Sequence, residues 1–196
     1  MKKVNYQIYC DMDGVIVNFE DTCTDIINAD LRDFSKVPHE IFNSYAIMKR
    51  ELMQRERITI TKNDFSREAE DRIESVRNYM FERVQNNLQF WCNLPWKNDG
   101  KKLWEFIHQI SPSPIILTAP MNGDNCIIGK KIWTKNNLGD FNIILNEQKY
   151  QHAKSNSILI DDYIENIIPW REKGGIAIHH KNTDDTIKEL KNILQS

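Results

Sequence analysis

The stretch Ile8-Tyr9-Cys10-Asp11-Met12-Asp13-Gly14-Val15-Ile16-Val17-Asn18-Phe19 decides the fold, because it puts two carboxylates two residues apart at the end of an apolar run. Residues 4–10 favour a β-strand, which would leave both acids on the turn that follows it. Gly14 lets the backbone turn sharply there. In a parallel α/β sheet, ligands bind in the crevice outside the carboxyl ends of the strands. The stretch therefore predicts a functional site, and a simple polar turn is the alternative.

The second half of the chain alternates helical segments with short apolar runs, which is the pattern of βαβ units around a parallel sheet. Together with residues 4–10, these runs predict a Rossmann-like α/β core with five parallel strands. The four later strands are predicted at residues 115–118, 141–145, 158–162 and 176–179. The helices that accompany them are predicted at residues 99–110, 124–138, 148–154, 163–173 and 184–194.

The segment between the first strand and this alternating region predicts helices instead. Helices are expected over residues 20–34, from Pro38 to Gln54, and from an N-cap at Ser66 through Leu88. We therefore expect a helical cap domain at residues 20–95, inserted into a core domain made of residues 1–19 and 96–196. Such a lid would exclude water from the site and select the leaving group.

Aromatic residues near this insert are candidates for contacts with a substrate. Phe19, Tyr45 and Trp91 lie in or beside the predicted cap, where an aromatic face could stack on a nucleobase. Ordinary core packing is the commoner role of such residues.

The composition excludes several classes of protein. With 40% hydrophobic and 28% charged residues and no apolar run of membrane-spanning length, the chain is expected to be globular and soluble. The N-terminal residues lack the apolar segment of a signal peptide, so a cytoplasmic location is expected. Four cysteines without CxxC spacing argue against a zinc site or a disulfide framework. A net charge of −2 gives no general attraction to nucleic acid.

Polar residues end the predicted strands, and a parallel sheet would bring them to one edge. They are Asp11, Asp13, Thr118, Asp161 and Asp162. Four clustered carboxylates would repel one another and bind protons more tightly unless a cation neutralised them. Oxygen ligands without nearby cysteines or paired histidines favour Mg²⁺, and Ca²⁺ is less favoured because the acids lack EF-hand spacing.

A phosphate ester would also need hydrogen-bond donors and positive charge at this edge. Thr118 can donate its hydroxyl. The ammonium group could come from any of four lysines, Lys130, Lys131, Lys149 and Lys154.

Four segments resemble the motifs of the haloacid dehalogenase superfamily of phosphatases. They are DMDGV at 11–15, IILT at 115–118, a lysine before the fourth strand, and ILIDD at 158–162. Within that superfamily, DMDGVIVNF followed by LTAP and LIDD is most similar to the 5′(3′)-deoxyribonucleotidases and their bacterial and phage relatives. The resemblance covers residues 4–19 and about 99–180, and it implies that the insert is a cap of the C1 type.

The resemblance also implies the role of each acid. Asp11 would be the nucleophile that attacks phosphorus, and Asp13 would be the general acid and then the general base. The Asp11 carboxylate, the Asp13 carbonyl and Asp162 would hold Mg²⁺. Asp161 would either ligate the ion or act from behind the ligands.

The remaining implied residues bind the phosphate. Thr118 would hold a phosphoryl oxygen, with the backbone amides of Met12, Asp13, Gly14 and Ala119 as an anion-binding nest. Lys149, four residues before an alanine, fits the motif lysine better than Lys154. By default, the neighbouring pair Lys130 and Lys131 is expected to be exposed on a helix.

The implied activity is Mg²⁺-dependent hydrolysis of a (deoxy)ribonucleoside monophosphate to nucleoside and phosphate. The alternatives are a phosphatase for another small phosphate ester or a nucleic-acid 3′ phosphate, a dehalogenase, and a non-catalytic binding module with the same fold. The expected partner is a small-molecule nucleotide, with no membrane and no stable nucleic-acid partner. A homodimer is compatible with the sequence.

Overall fold

The computed structural model describes residues 6–66 and 69–195, and its centre is a five-stranded, all-parallel sheet. The strand order is β3-β2-β1-β4-β5. The predicted fold class is therefore confirmed, although residues 4 and 5 of the first predicted strand lie outside the described residues. The strands are β1 (Gln7–Cys10), β2 (Ile115–Thr118), β3 (Asn142–Leu145), β4 (Ser157–Asp161) and β5 (Ile176–His179).

The central strands are apolar because helices cover both faces of a parallel sheet. Every residue of β4 is buried, and so are Ile8 and Cys10 of β1. The helices of this half are α5 (Gly100–Ile110), α6 (Asp124–Leu138), α7 (Ile164–Glu172) and α8 (Thr183–Gln195). No helix in the described part of the chain has the length and apolar character needed to cross a bilayer.

The strand order puts a topological switch point at β1. This strand pairs with β2 on one side and β4 on the other, with Cys10 opposite both Ile116 and Ile160. Strands β2 and β3 lie on one side of β1, and strands β4 and β5 lie on the other. This reversal of strand order opens a crevice at the carboxyl ends of β1, β2 and β4. Asp11, the residue after Cys10, lies in that crevice.

Regular structure between β1 and α5 is helical in the described residues. It comprises α1 (Phe19–Arg32), α2 (Phe42–Gln54), α3 (Glu74–Gln85) and α4 (Leu88–Cys92), with short 3₁₀ turns between them. Buried residues of these helices, such as Met48, Val76 and Trp91, belong to the same hydrophobic cluster as Ile8 of β1 and Ile116 of β2. The helical character of the insert agrees with the prediction, whereas its domain limits at residues 20 and 95 stay a prediction.

The single long helix predicted from Ser66 to Leu88 is wrong. The regular helix begins at Glu74, because Ile73 is extended and its amide donates to the Asp64 carbonyl at 2.5 Å. It ends at Gln85, and the Asn87 side chain then accepts from the Phe90 amide at 3.0 Å to start a separate helix. Residues 67 and 68 of the predicted helix lie outside the described residues.

Candidate active site

Three neighbouring strands bring the first predicted site residues together. The Asp11 amide donates to the Ile160 carbonyl at 2.9 Å, so the residue after β1 lies beside the end of β4. Thr118 is the last residue of β2 and Asp161 the last of β4. All three are buried, and Asp11 and Thr118 line one cavity.

The turn after Asp11 is held in a fixed shape by its own backbone. Gly14 has φ +77°, and its amide donates to the Val17 carbonyl at 2.9 Å. A Cβ at Gly14 would lie 2.0 Å from an Asp162 carboxylate oxygen, so glycine is needed both for conformation and for space. The Lys97 ammonium donates to the Gly14 carbonyl at 2.5 Å and holds the turn from outside.

Lys149 links two of the predicted acids. It lies on the 3₁₀ turn Lys149–His152, and its Nζ is 2.8 Å from Asp11 Oδ1 and 2.6 Å from Asp161 Oδ2. Burial lowers the pKa of Lys149, but Asp11 and Asp161 more than reverse this, and the net effect raises it. The ammonium is therefore charged at neutral pH. Lys154, the alternative motif lysine, is exposed.

Asp161 lies behind the cavity wall. It is fully buried, and its carboxylate accepts from Lys149, from the Tyr163 amide at 2.9 Å and from Asn166 Nδ2 at 3.0 and 3.1 Å. Both oxygens are thus occupied by protein donors. Asn166 was not anticipated from the sequence, because nothing marks an asparagine within a helix as the partner of a particular carboxylate.

Asp162 is half-buried and lines the cavity. Carboxylate oxygens of Asp11, Asp161 and Asp162 all lie within 4.8 Å of one another. Burial and the negative charges of Asp11 and Asp161 raise the pKa of Asp162 well above its usual value. Carboxylate oxygens are hard ligands, and a bound cation would offset the repulsion between these negative charges. The cluster therefore fits a divalent cation such as Mg²⁺.

The prediction that Lys130 is an exposed helix lysine is wrong. Lys130 is 1% exposed, and its Nζ lies 2.5 Å from Asp13 Oδ2 and 2.8 Å from both Thr118 Oγ1 and the Ala119 carbonyl. Its neighbour Lys131 is exposed, as expected. The buried residues of α6 recur at helical intervals, but only some of them are apolar, so spacing alone does not mark this face as buried. These buried residues are Cys126, Gly129, Lys130, Trp133 and Thr134.

Asp13 lies beside Asp11 at the mouth of this arrangement. Burial raises its pKa, and Lys130 acts in the opposite direction. A carboxyl group with a raised pKa keeps its proton to a higher pH than an ordinary aspartate, which suits a general acid.

A cavity of about 430 Å³ covers the acidic edge of the sheet. Its floor includes most of the predicted site residues, namely Asp11, Asp13, Gly14, Thr118, Ala119, Lys149 and Asp162. The Met12 side chain is instead fully buried beneath the turn. The opposite wall comes from the helical insert and from the first turn of α1, with Phe19, Glu20, Phe65, Arg77, Met80 and Phe81.

The three aromatic candidates of the insert have different positions. Phe19 lines the cavity, with its ring stacked on that of Trp91 at 5.5 Å between centroids. Trp91 and Tyr45 are core residues, 1% and 3% exposed, and neither is part of the cavity wall. The cavity-lining aromatic residues that the sequence did not single out are Phe65, Phe81 and Tyr163.

Comparison with solved structures identifies the fold. A HAD-superfamily hydrolase from Ehrlichia chaffeensis superposes with a TM-score of 0.51 over 99% of this chain and 100% of its own, at 14% identity. The chain has the fold of the haloacid dehalogenase (HAD) superfamily hydrolases. A hydrolase from Streptococcus pneumoniae TIGR4 gives a TM-score of 0.50 at 11% identity, covering 96% of this chain and 99% of that one. No protein-family model and no curated protein matches the sequence.

The HAD-like fold accounts for the position of the acids without any reference to sequence identity. Its switch point at β1 lies under Asp11, and the neighbouring strands β2 and β4 end in Thr118 and Asp161. Fold alone does not fix activity, so the function has to be argued from the side chains in this crevice.

Proposed function

We propose that this protein is a Mg²⁺-dependent phosphomonoesterase that hydrolyses (deoxy)ribonucleoside monophosphates through a phosphorylated Asp11. The observation that carries the proposal is the position of the Asp11 carboxylate at the cavity floor, 2.8 Å from the Lys149 ammonium. Thr118, at the end of the neighbouring strand β2, lines the same cavity and carries a hydroxyl group. A nucleophile, a fixed positive charge and a hydroxyl donor are what phosphoryl transfer to a carboxylate needs.

The proposed metal ligands are Asp11, the Asp13 carbonyl and Asp162. Asp161 is better suited to orient Lys149, because its oxygens already accept from Lys149, Asn166 and the Tyr163 amide. When bound, Mg²⁺ would neutralise the phosphate oxygens and the acids that face them. The site holds four acids and two buried lysines, so its carboxylates outnumber the ammonium groups that contact them.

The chemistry proceeds in two balanced steps. In the first, an Asp11 oxygen attacks phosphorus, the ester P–O bond breaks, and Asp13 gives its proton to the leaving alkoxide. In the second, Asp13 takes a proton from water, whose oxygen attacks phosphorus and releases inorganic phosphate and the Asp11 carboxylate. Lys149 offsets the negative charge of the Asp11 carboxylate before the attack and faces the charge of the phosphoryl group once Asp11 is phosphorylated.

The geometry of the turn reduces the number of backbone amides that can bind the phosphate. The Gly14 amide already donates to Val17, so it is committed to the turn. The amides of Met12, Asp13 and Ala119, with the Thr118 hydroxyl, remain the proposed donors to phosphoryl oxygens.

A cytoplasmic location is part of the proposal, because the four cysteines are free thiols, which suits a reducing compartment.

The proposed leaving group is a nucleoside. A cavity of about 430 Å³ suits a small ligand, and three phenylalanine rings in its wall offer faces for a base. The Arg77 guanidinium in the same wall favours a second candidate, a small phosphate ester with another anionic group. A panel of nucleoside monophosphates, sugar phosphates, phosphorylated acids and 3′-phosphorylated oligonucleotides, assayed with Mg²⁺, separates these substrates. Absence of hydrolysis across the whole panel would contradict the proposed function.

Phe81→Leu tests the base-binding wall. Loss of one stacking ring is expected to raise KM for a nucleoside monophosphate by about 10-fold, since base stacking contributes about 1–3 kcal/mol. KM for p-nitrophenyl phosphate should change much less, because this ester carries neither a nucleobase nor a ribose. Phe34→Leu is the matched control, since Phe34 is 52% exposed and does not line the cavity. Equal changes for both substrates would argue against a base at Phe81.

Thermal unfolding tests the metal without an activity assay. Because the pKa values of Asp161 and Asp162 are raised, these two carboxyls bind more protons in the folded protein than in the unfolded chain above about pH 4. Their contribution to stability in EDTA should therefore fall as pH rises through the window between the unfolded and folded pKa values. Mg²⁺ binds the ionised cluster, so it should raise the Tm more at pH 7.5 than at pH 5. An equal Mg²⁺ effect in Asp162→Asn would contradict the assigned site.

A further inference from the structure

We propose that Lys130 is a positioning residue that fixes Asp13 for proton transfer to the leaving group and orients the Thr118 hydroxyl toward the phosphate. The proposal rests on the proposed phosphomonoesterase function, and it names a residue that helps the leaving group to depart. The Lys130 ammonium is buried on helix α6, where an ordinary lysine would reach solvent.

The three hydrogens of the Lys130 ammonium all have acceptors within the protein. They are Asp13 Oδ2 at 2.5 Å, Thr118 Oγ1 at 2.8 Å and the Ala119 carbonyl at 2.8 Å. An ammonium has three donors and no acceptor, so this set is complete. Lys130 therefore has no hydrogen left for a substrate oxygen, and it must act through Asp13 and Thr118.

The contact with Asp13 distinguishes the two oxygens of that carboxylate. Oδ2 is held by Lys130, whereas Oδ1 is buried and has no hydrogen-bond partner among residues 6–66 and 69–195. Asp13 also lines the cavity. Oδ1 is thus the oxygen that no protein donor holds, so we assign the proton to it, and the contact of Lys130 with Oδ2 fixes the orientation of the carboxyl group.

The contact with Thr118 has a similar directional effect. Because the Thr118 oxygen accepts a hydrogen bond from Lys130, the hydroxyl hydrogen must point away from the ammonium. Thr118 lies on the cavity floor, so that hydrogen is available to a phosphoryl oxygen. One buried ammonium therefore orients both the proton donor for the leaving group and a donor for the phosphate.

Packing between the core and the insert keeps Lys130 in this position. A Cβ on Gly129 would lie 2.2 Å from the Trp91 Cβ, so α6 can approach α4 this closely only with glycine there. The approach places the Lys130 ammonium 5.6 Å from the centre of the Trp91 ring, which is a cation–π contact. Trp91 belongs to the insert, so the insert helps to hold the proton donor in place.

The test compares two substrates that differ only in how much their leaving group needs a proton. Phenyl phosphate leaves as a basic phenolate, whereas p-nitrophenyl phosphate leaves as a weakly basic one that needs little protonation. For Lys130→Met, kcat/KM with Mg²⁺ is expected to fall about 10-fold or more further for phenyl phosphate than for p-nitrophenyl phosphate, within the usual range of general-acid effects. Because kcat/KM reports the step in which the ester bond breaks, slow hydrolysis of phosphorylated Asp11 does not obscure the ratio.

Lys131→Met is the matched control, because it removes the same charge from the exposed neighbouring position, and it should leave both rates unchanged. In an Asp13→Asn background, Lys130→Met should not change the ratio between the two substrates any further. If Lys130→Met does not fold, Lys130→Gln, which keeps a donor but loses the charge, is measured for the same ratio and should give an intermediate value.

Equal losses for the two substrates in the folded Lys130 variant would overturn the proposal, because they indicate a purely structural or general charge effect. Unchanged rates for both would overturn it as well. Failure of the proposed function is a separate result, since wild-type protein with Mg²⁺ would then hydrolyse neither aryl phosphate.

Discussion

Asp11→Asn is expected to reduce phosphomonoester hydrolysis by about 10³-fold or more while leaving the protein folded. The amide that replaces the carboxylate is too poor a nucleophile to take the phosphoryl group, and removal of a nucleophile typically abolishes most of the catalytic effect. The fold should survive because Lys149 retains its 2.6 Å contact with Asp161. The variant also removes one of several crowded negative charges from the edge of the sheet.

The same variant can be examined for the covalent intermediate itself. Wild-type protein, mixed with substrate and Mg²⁺ and quenched in acid, should carry phosphate on the peptide that contains Asp11, and Asp11→Asn should carry none. Asp25→Asn is the matched control, because Asp25 is an exposed acid on α1. Substantial turnover in purified Asp11→Asn, or phosphate on another residue, would remove Asp11 from its assigned role.

The strand ends were predictable from the sequence because they follow a simple physical rule. Parallel strands are apolar along their length and become polar where they leave the sheet, so Asp11, Thr118 and Asp161 could be assigned to one edge before any coordinates. Their pairing partners could not be assigned in the same way. The register that puts Cys10 opposite Ile160 depends on packing between residues 150 positions apart.

Lys130 shows why the sequence prediction of the site was incomplete. Lysine is normally exposed, and the prior for an exposed residue outweighed the helical spacing that links it with Gly129 and Trp133. The prediction of cavity-lining aromatic residues was incomplete for a related reason. Phe19 and Trp91 are equally plausible in the sequence, but only Phe19 lines the cavity. The orientation of a side chain that breaks the usual polarity rule depends on its partners, which a single sequence does not reveal.

Helix boundaries in the insert were the weakest part of the fold prediction. The apolar spacing from Ile73 to Leu88 continues past the end of α3 at Gln85, and the Asn87 side chain caps the next helix, which begins at Leu88. A cap of this kind is a local hydrogen bond that competes with helix continuation. The periodicity therefore identified the buried face correctly, but it could not locate the break.

Lys149→Met is expected to lower both activity and stability, because the ammonium lies between two buried carboxylates. Its Nζ contacts Asp11 at 2.8 Å and Asp161 at 2.6 Å, and the side chain is 2% exposed. Removing one partner of a buried ion pair typically costs about 3–5 kcal/mol, since the remaining charges have no counterion. Urea denaturation at pH 8 in EDTA measures this loss in the free energy of unfolding.

The pH dependence of that loss has a definite sign. Because the folded pKa of Lys149 is raised, its stabilising contribution is complete below the unfolded value of about 10.4 and disappears only above it. The difference between wild type and Lys149→Met should therefore persist from neutral pH to about pH 9. It should shrink toward pH 5, because the Asp161 carboxyl, whose pKa burial already raises, can take up a proton in the variant.

Lys154→Met distinguishes this mechanism from a general loss of positive charge. Lys154 is the other candidate motif lysine, and it is exposed, so its replacement should change stability by less than about 0.5 kcal/mol and leave activity intact. Similar losses in both lysine variants would mean that overall charge, and not the buried contacts, stabilises the acids. If the loss in the free energy of unfolding of Lys149→Met stays constant from pH 5 to pH 8, unpaired carboxylates are not its cause. Protonation at the lower pH would otherwise remove part of their negative charge and reduce the loss.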